Sequence, residues 1–111
     1  MYEEKPDVIQ GTLDMLILKT LSLQPMHGFG IARRIEQISH DVFKVNPGSL
    51  LVALKRLERE GLIDFEWRTS DKSRRAKYYS LTAAGERRLS VETEGWSRRL
   101  SALARLMAAE G

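Results

Sequence analysis

Cysteine is absent from the 111 residues. That excludes disulfides and thiolate metal sites, and it fits a reducing cytoplasm, the expected location. There is no long apolar run of the kind that spans a membrane. The opening residues Tyr2 to Asp7 carry three acids and one lysine, not the basic start and apolar stretch of a secretion signal. Histidine occurs twice, at His27 and His40, far apart and without cysteine partners, so no metal or cofactor site is expected. His40-Asp41 reads as a loop histidine beside a turn aspartate, and no enzyme is expected. The run His27-Gly28-Phe29-Gly30 is neither a P-loop nor a dinucleotide fingerprint, since both need a strand before the glycines. Those glycines allow a tight start to a helix, whose N-terminus can hold a phosphate. Internal repeats and low-complexity segments are also missing.

What is present suits one domain with one modest core, burying roughly two-thirds of the surface of the unfolded chain. Charged residues make up 30% and hydrophobic ones 42%. The net charge of +3 is small, so its distribution carries the information. Three helical patterns come first. The spacing of Leu13, Leu16, Ile17 and Leu21 predicts a helix with Thr12 as its cap and Asp14 in its positive first turn. Gln24-Pro25 stops it. A second helix follows His27, with Ile31, Ile35 and Ile38 on one face. The third has Asn46 as N-cap, Pro47 at its first position and Gly61 just past its end. Its buried stripe is Leu50, Ala53, Leu54 and Leu57.

The period then changes from that of a helix to that of a strand. Ile63, Phe65 and Trp67 alternate with Asp64, Glu66 and Arg68, and Tyr79 and Leu81 alternate with Tyr78 and Ser80, which predicts two strands paired as a hairpin. Thr82 then caps a last helix of about 25 residues. The fold class is therefore mainly α with a small antiparallel β-hairpin: a winged helix-turn-helix over residues 1–82, then a long C-terminal dimerisation helix over residues 83–111.

The face of the third helix opposite its buried stripe carries Ser49, Val52, Lys55, Arg56 and Arg59. A hydroxyl and an apolar group near the N-terminal end, with cations further along, suit a helix lying in a major groove. Ser49, Val52 and Lys55 are the candidates for reading bases, and Arg56 and Arg59 for holding phosphates. A solvated face balanced by Glu58 and Glu60 would look similar, and the hairpin weighs against that reading. Its ten residues from Arg68 to Lys77 hold five cations (Arg68, Lys72, Arg74, Arg75, Lys77) and one anion, Asp71. Such a segment can follow a phosphate backbone or place an arginine in a narrow minor groove, with Arg74, Arg75 and Lys77 as the contacts. The bland alternative is an aggregation-resistant hairpin edge. Double-stranded DNA is the expected partner. The alternative function is a winged-helix protein-interaction module without DNA binding, since fold does not fix function.

At these residues the chain resembles the PadR family of transcriptional regulators. The resemblance runs from GTLDMLILKTLSLQPMHGFGIARRIEQ through GSLLVALKRLEREGLI and RRAKYYSLTAAG to EGWSRRL. It implies a homodimeric winged-helix regulator, usually a repressor, of the subfamily with a single C-terminal helix. Two positions depart from the family pattern. Leu51 and Val52 stand where tyrosine and proline are common, so a tyrosine phosphate contact is lost and Val52 offers an apolar group to a thymine methyl. Phe29 likewise stands where tyrosine is frequent.

In the last helix Leu89, Trp96, Leu100, Leu103 and Met107 recur at heptad spacing, with Thr93 filling the missing position. A helix leaving a small domain cannot bury such a seam on its own body, so a second copy is the expected partner and a palindromic site the expected target. A helix folded back on its own domain is the competing arrangement. In some family members the dimer interface opens into an apolar pore where flat molecules stack on a matching tryptophan, which makes Trp96 a candidate for a planar apolar effector or, equally, packed core. Gly95 beside it costs about 1 kcal/mol relative to alanine, for close helix approach or for room beside the indole.

Overall fold

The computed structural model describes residues 6–69 and 73–111, with the side chains of residues 6–10 outside that set. Asp71 and Lys72, counted in the hairpin charge above, lie outside the described residues.

Helix α1 spans Pro6–Leu23 and begins well before the expected start at Leu13. Pro6 fills a first helical position, where its missing N–H costs nothing. Thr12 and Asp14 therefore lie inside the helix, which corrects both the cap and the first-turn role expected of them. The Asp14 carboxylate instead accepts a 2.6 Å bond from Arg56 Nη2, across 42 residues of sequence. After Gln24-Pro25 the chain forms a two-residue strand, β1 (Met26–His27), absent from the expected element order. Helix α2 follows at Gly28–Ile38. A strand thus does precede these glycines, but it belongs to an antiparallel sheet, so the exclusion of a dinucleotide fingerprint rests on that topology and not on a missing strand.

Helix α3 (Pro47–Arg59) has the ends its sequence predicts. Asn46 Oδ1 accepts from the Ser49 N–H at 3.0 Å, and Pro47 opens the helix. At the other end Leu62 N–H bonds Leu57 O, Gly61 N–H bonds Glu58 O, and Gly61 adopts φ +76°. This is a Schellman stop, and the left-handed residue it needs is the glycine. Leu50, Ala53, Leu54 and Leu57 are all buried, as their spacing predicts.

Strands β2 (Ile63–Thr69) and β3 (Arg75–Leu81) pair antiparallel in the register Ile63 with Leu81, Phe65 with Tyr79 and Trp67 with Lys77. Met26 and His27 of β1 pair with Tyr79 and Tyr78, so the hairpin becomes a three-stranded sheet in the order β1-β3-β2. Burial fades along β2 from Ile63, which is buried, to Trp67, which is 52% exposed, because the hairpin runs beyond the helical body. The core gathers Ile17 and Leu18 of α1, Ile31 and Ile35 of α2, the α3 stripe, Ile63 and Tyr79.

Helix α4 (Ala83–Ala108, 26 residues) packs on α1 and extends the molecule to 61 Å. Its start is tied to the end of α3. Thr82 Oγ1 accepts from the Gly85 N–H at 3.0 Å and donates to Gly61 O at 2.7 Å, while Thr82 N–H bonds Leu62 O at 3.1 Å. A Cβ on Gly85 would overlap the Leu62 carbonyl, which is backbone and cannot swing away. A Cβ on Gly95 would meet only the Arg99 guanidinium, 3.3 Å away at the end of a flexible side chain.

The two glycines of α4 should therefore respond oppositely to alanine. Gly85→Ala is expected to destabilise by about 1–3 kcal/mol despite its helix propensity, through overpacking against backbone. Gly95→Ala is expected to be neutral or to stabilise by up to about 1 kcal/mol. Urea unfolding of both variants checks this, and a stabilised Gly85→Ala protein would contradict the close approach.

The Asp14–Arg56 pair generates a pH prediction. Burial raises the Asp14 pKa above 3.8, and the Arg56 charge pulls it back down. A raised acid pKa means that the folded state binds the proton more tightly, so stability is lost as pH rises from 3.8 through the folded value. Removing Arg56 raises that value further. Arg56→Met should thus cost about 1–3 kcal/mol at pH 7 and progressively less as pH falls through the raised Asp14 pKa and the carboxyl takes up its proton. Denaturant midpoints over that pH range measure the difference, and a pH-independent cost would show that the pairing is not electrostatic.

Candidate nucleic-acid interface

On α3 the outward face is reduced to Ser49, Val52, Lys55 and Arg59, all exposed. Arg56 does not join them. Its side chain is 17% exposed and turned onto α1, paired with Asp14, and its Nη1 is buried without a partner. The Arg56 expected to hold a phosphate thus has Asp14 as its partner within the fold. Sequence spacing puts Arg56 on the flank of the outward face, and only the packing of α1 beside that flank turns it inward.

Three hairpin cations, Arg68, Arg75 and Lys77, lie on its own aromatic rings. The register puts Arg75, Lys77, Phe65 and Trp67 on one sheet face. The Arg75 guanidinium sits 4.8 Å from the Trp67 ring centre, and Lys77 Nζ sits 4.0 Å from that of Phe65. Lys77 also approaches Glu58 of α3 at 3.8 Å. On the opposite face Arg68 lies 4.8 Å over Tyr78 and bonds Glu66 at 2.6 Å. Exposed cation–π contacts are worth only about 0.5–1 kcal/mol, so they hold these side chains in place yet release them readily to a phosphate. Arg68 was counted in the hairpin charge but not among the candidate contacts; its ring partner is apparent only once the strand register is known.

The hairpin and α3 meet across a groove of about 720 Å³. Leu51 and Pro47 of α3, Phe29 and Arg33 of α2, Arg75 and Lys77 of β3, and Arg74 just before that strand line it. The start of α2 at this groove is held by a group that sequence reasoning passed over. His27 Nδ1 accepts from the Gly30 N–H at 3.0 Å and caps the helix. That bond requires the neutral tautomer with its proton on Nε2. The His27 ring stands nearly perpendicular to that of Tyr78, with the ring centres 5.3 Å apart. A histidine is an uncommon cap, and its backbone is held extended here by pairing with β3, which no local pattern announces.

On α4 the expected seam divides. Leu89 is half-buried against the core of its own chain. Trp96 is half-buried, with the Arg99 guanidinium 4.6 Å over its ring. The room beside Gly95 is thus taken by Arg99, which folds back over the indole. Leu100, Leu103 and Met107 are 58%, 54% and 78% exposed, and Leu106 is exposed beside them. No helix among the described residues is long and apolar enough to cross a membrane.

Comparison with known proteins agrees with this geometry. An uncharacterised protein of Lysinibacillus sphaericus is 26% identical over 93 residues, covering 84% of this chain and 85% of its own length. The crystal structure of a PadR family transcription regulator from Clostridium difficile is 27% identical, with a TM-score of 0.77 over 88% of this chain and 100% of that one. A PadR-like transcriptional regulator from Bacillus cereus shares the fold at a TM-score of 0.81 and 23% identity, over 94% of this chain and 99% of that one. Residues 17–91 match the model of the Transcriptional regulator PadR-like family. That match takes in the core of the winged domain and the first turns of α4, and the chain accordingly belongs to the PadR-like family of DNA-binding transcriptional regulators.

Proposed function

We propose that this chain is a cytoplasmic, non-enzymatic homodimeric repressor that binds a palindromic operator in double-stranded DNA. Residues 1–82 contact the DNA and residues 83–111 join the two subunits. One observation carries the reading: the start of α3 and the basic arm of the hairpin line a common groove. A helix for the major groove and cations for the flanking backbone are thereby presented together. Ser49, Val52 and Lys55 face the bases, and Arg59, Arg74, Arg75 and Lys77 face phosphates. Arg56 acts behind them by holding α3 against α1.

Selecting bound duplexes from a random pool, then footprinting, tests the operator directly. An inverted repeat is the expected product. Against that operator, Arg74→Ala/Arg75→Ala should weaken specific and random DNA alike, and the slope of log K against log salt should shrink by about 2. An unchanged slope would remove the hairpin from the DNA surface.

The exposed row Leu100, Leu103 and Met107 supports pairing with a second copy, since a helix of this length leaves those side chains in water otherwise. Dimerisation spaces the two recognition helices for one operator. Trp96 lies where this row begins, and a planar apolar effector stacking there would displace Arg99 from the indole. Such a ligand shifts DNA affinity only if it binds two subunit arrangements unequally. Leu100→Glu/Leu103→Glu should give a monomer in sedimentation and lose tight operator binding. A persisting dimer would show that α4 does not join the subunits.

A further inference from the structure

Three large apolar side chains stand exposed on the surface just assigned to DNA. Phe29 is 69% exposed, Leu51 is 51% and Val52 is 67%. Single exposed apolar residues need no explanation. These three are grouped, however. Phe29 and Leu51 line the same groove, and Val52 follows Leu51 on the outermost line of α3 with Lys55 and Arg59. Arg33 on α2 and Arg75 and Lys77 on β3 line the groove with Phe29 and Leu51, Lys55 and Arg59 stand exposed further along α3, and Glu36, which also lines the groove, is engaged by the Val45 N–H. An apolar patch bordered mostly by cations fits a partner that is anionic at its edges and apolar at one inner point.

Duplex DNA has one such feature. The phosphates flank the major groove, and the C5-methyl of thymine is the apolar group on its floor. Leu51 and Val52 have no hydrogen-bonding side-chain group, so they can satisfy neither a phosphate nor a base edge. They can bury a methyl. Successive positions on a helix are turned by about 100° and displaced by about 1.5 Å, so the two side chains meet different bases. Phe29 is held at the mouth of the groove by the Arg33 guanidinium, 5.7 Å over its ring, and by stacking on His27 at 6.5 Å. It extends the apolar surface from α3 to α2.

We propose that each operator half-site carries at least two thymines whose methyl groups pack on Val52 and Leu51, with Phe29 completing the apolar contact. Methyl burial over adjacent bases, not hydrogen bonding alone, then sets the preference of this protein at those positions. The inference deepens the DNA-binding reading and rests on it.

Replacing thymine by deoxyuridine tests it, because only the methyl is removed and every hydrogen-bonding group of the base remains. Each thymine of the selected operator is replaced in turn, and binding of the full chain is measured at fixed salt. At two or more positions per half-site the dissociation constant should rise about fourfold, the effect of one buried methyl. Val52→Ala and Leu51→Ala should each erase the loss at their own position and leave it at the other, as a double-mutant cycle reads coupling. Both side chains are exposed, so thermal melting should match wild type, which separates a lost contact from a lost fold. If the operator binds tightly and uridine costs nothing, or if the loss survives in both variants, the methyl contacts are overturned while DNA binding stands. If no selected duplex binds better than random DNA, the operator reading itself fails, and this inference with it.

Discussion

The architecture depends on the place where α4 meets the end of α3. Gly61 ends α3 in a left-handed conformation, Thr82 hydrogen-bonds Gly61 and Leu62, and Gly85 lets the first turn of α4 rest against the Leu62 carbonyl. Four elements are joined there: α3, β2, β3 and α4. The direction of α4 is thereby tied to that of the recognition helix through backbone contacts, which deform less than side-chain contacts. In the proposed dimer, a change in the direction of α4 would be transmitted to α3 through this junction.

Charge in this molecule is divided by what each cation already touches. Arg56 is committed to Asp14 and stabilises the packing of α3 on α1. Arg75 and Lys77 are lightly held on aromatic rings, and Lys77 also lies near Glu58. Lys55 and Arg59 stand exposed on the outer face of α3. A net charge of +3 hides these differences, since the committed and the available cations count equally in it. The weak ring contacts orient Arg68, Arg75 and Lys77 in the free protein, which would lower the entropy lost in the proposed exchange of ring for phosphate.

Much of the candidate site was legible in the chain. The bounds of α3 followed from Asn46, Pro47 and Gly61, the buried stripe from its spacing, and the hairpin from alternation through Ile63, Phe65 and Trp67. The start of α1 lies earlier than Leu13 although Ile9, four residues before it, continues the helical period; Gly11 and Thr12 look locally like a start and hide that continuation. Strand β1 was missed because two residues have no period; it exists only by pairing with β3. Leu89 fits a heptad seam by spacing, yet it lies early enough on α4 to pack on its own domain.

By itself the sequence determined the features that arise within a few residues: helix caps and stops, the period of each element, the concentration of cations in the hairpin and the motifs that mark the family. Tertiary structure alone decided which of those groups are available. It turned Arg56 onto Asp14 from 42 residues away, held His27 extended against β3 so that it caps α2, and put Phe29 and Leu51 in one groove. The physical reason is range. Propensity, capping and periodicity act along the chain and can be read from it, whereas burial and charge pairing depend on which distant segment fills the neighbouring space.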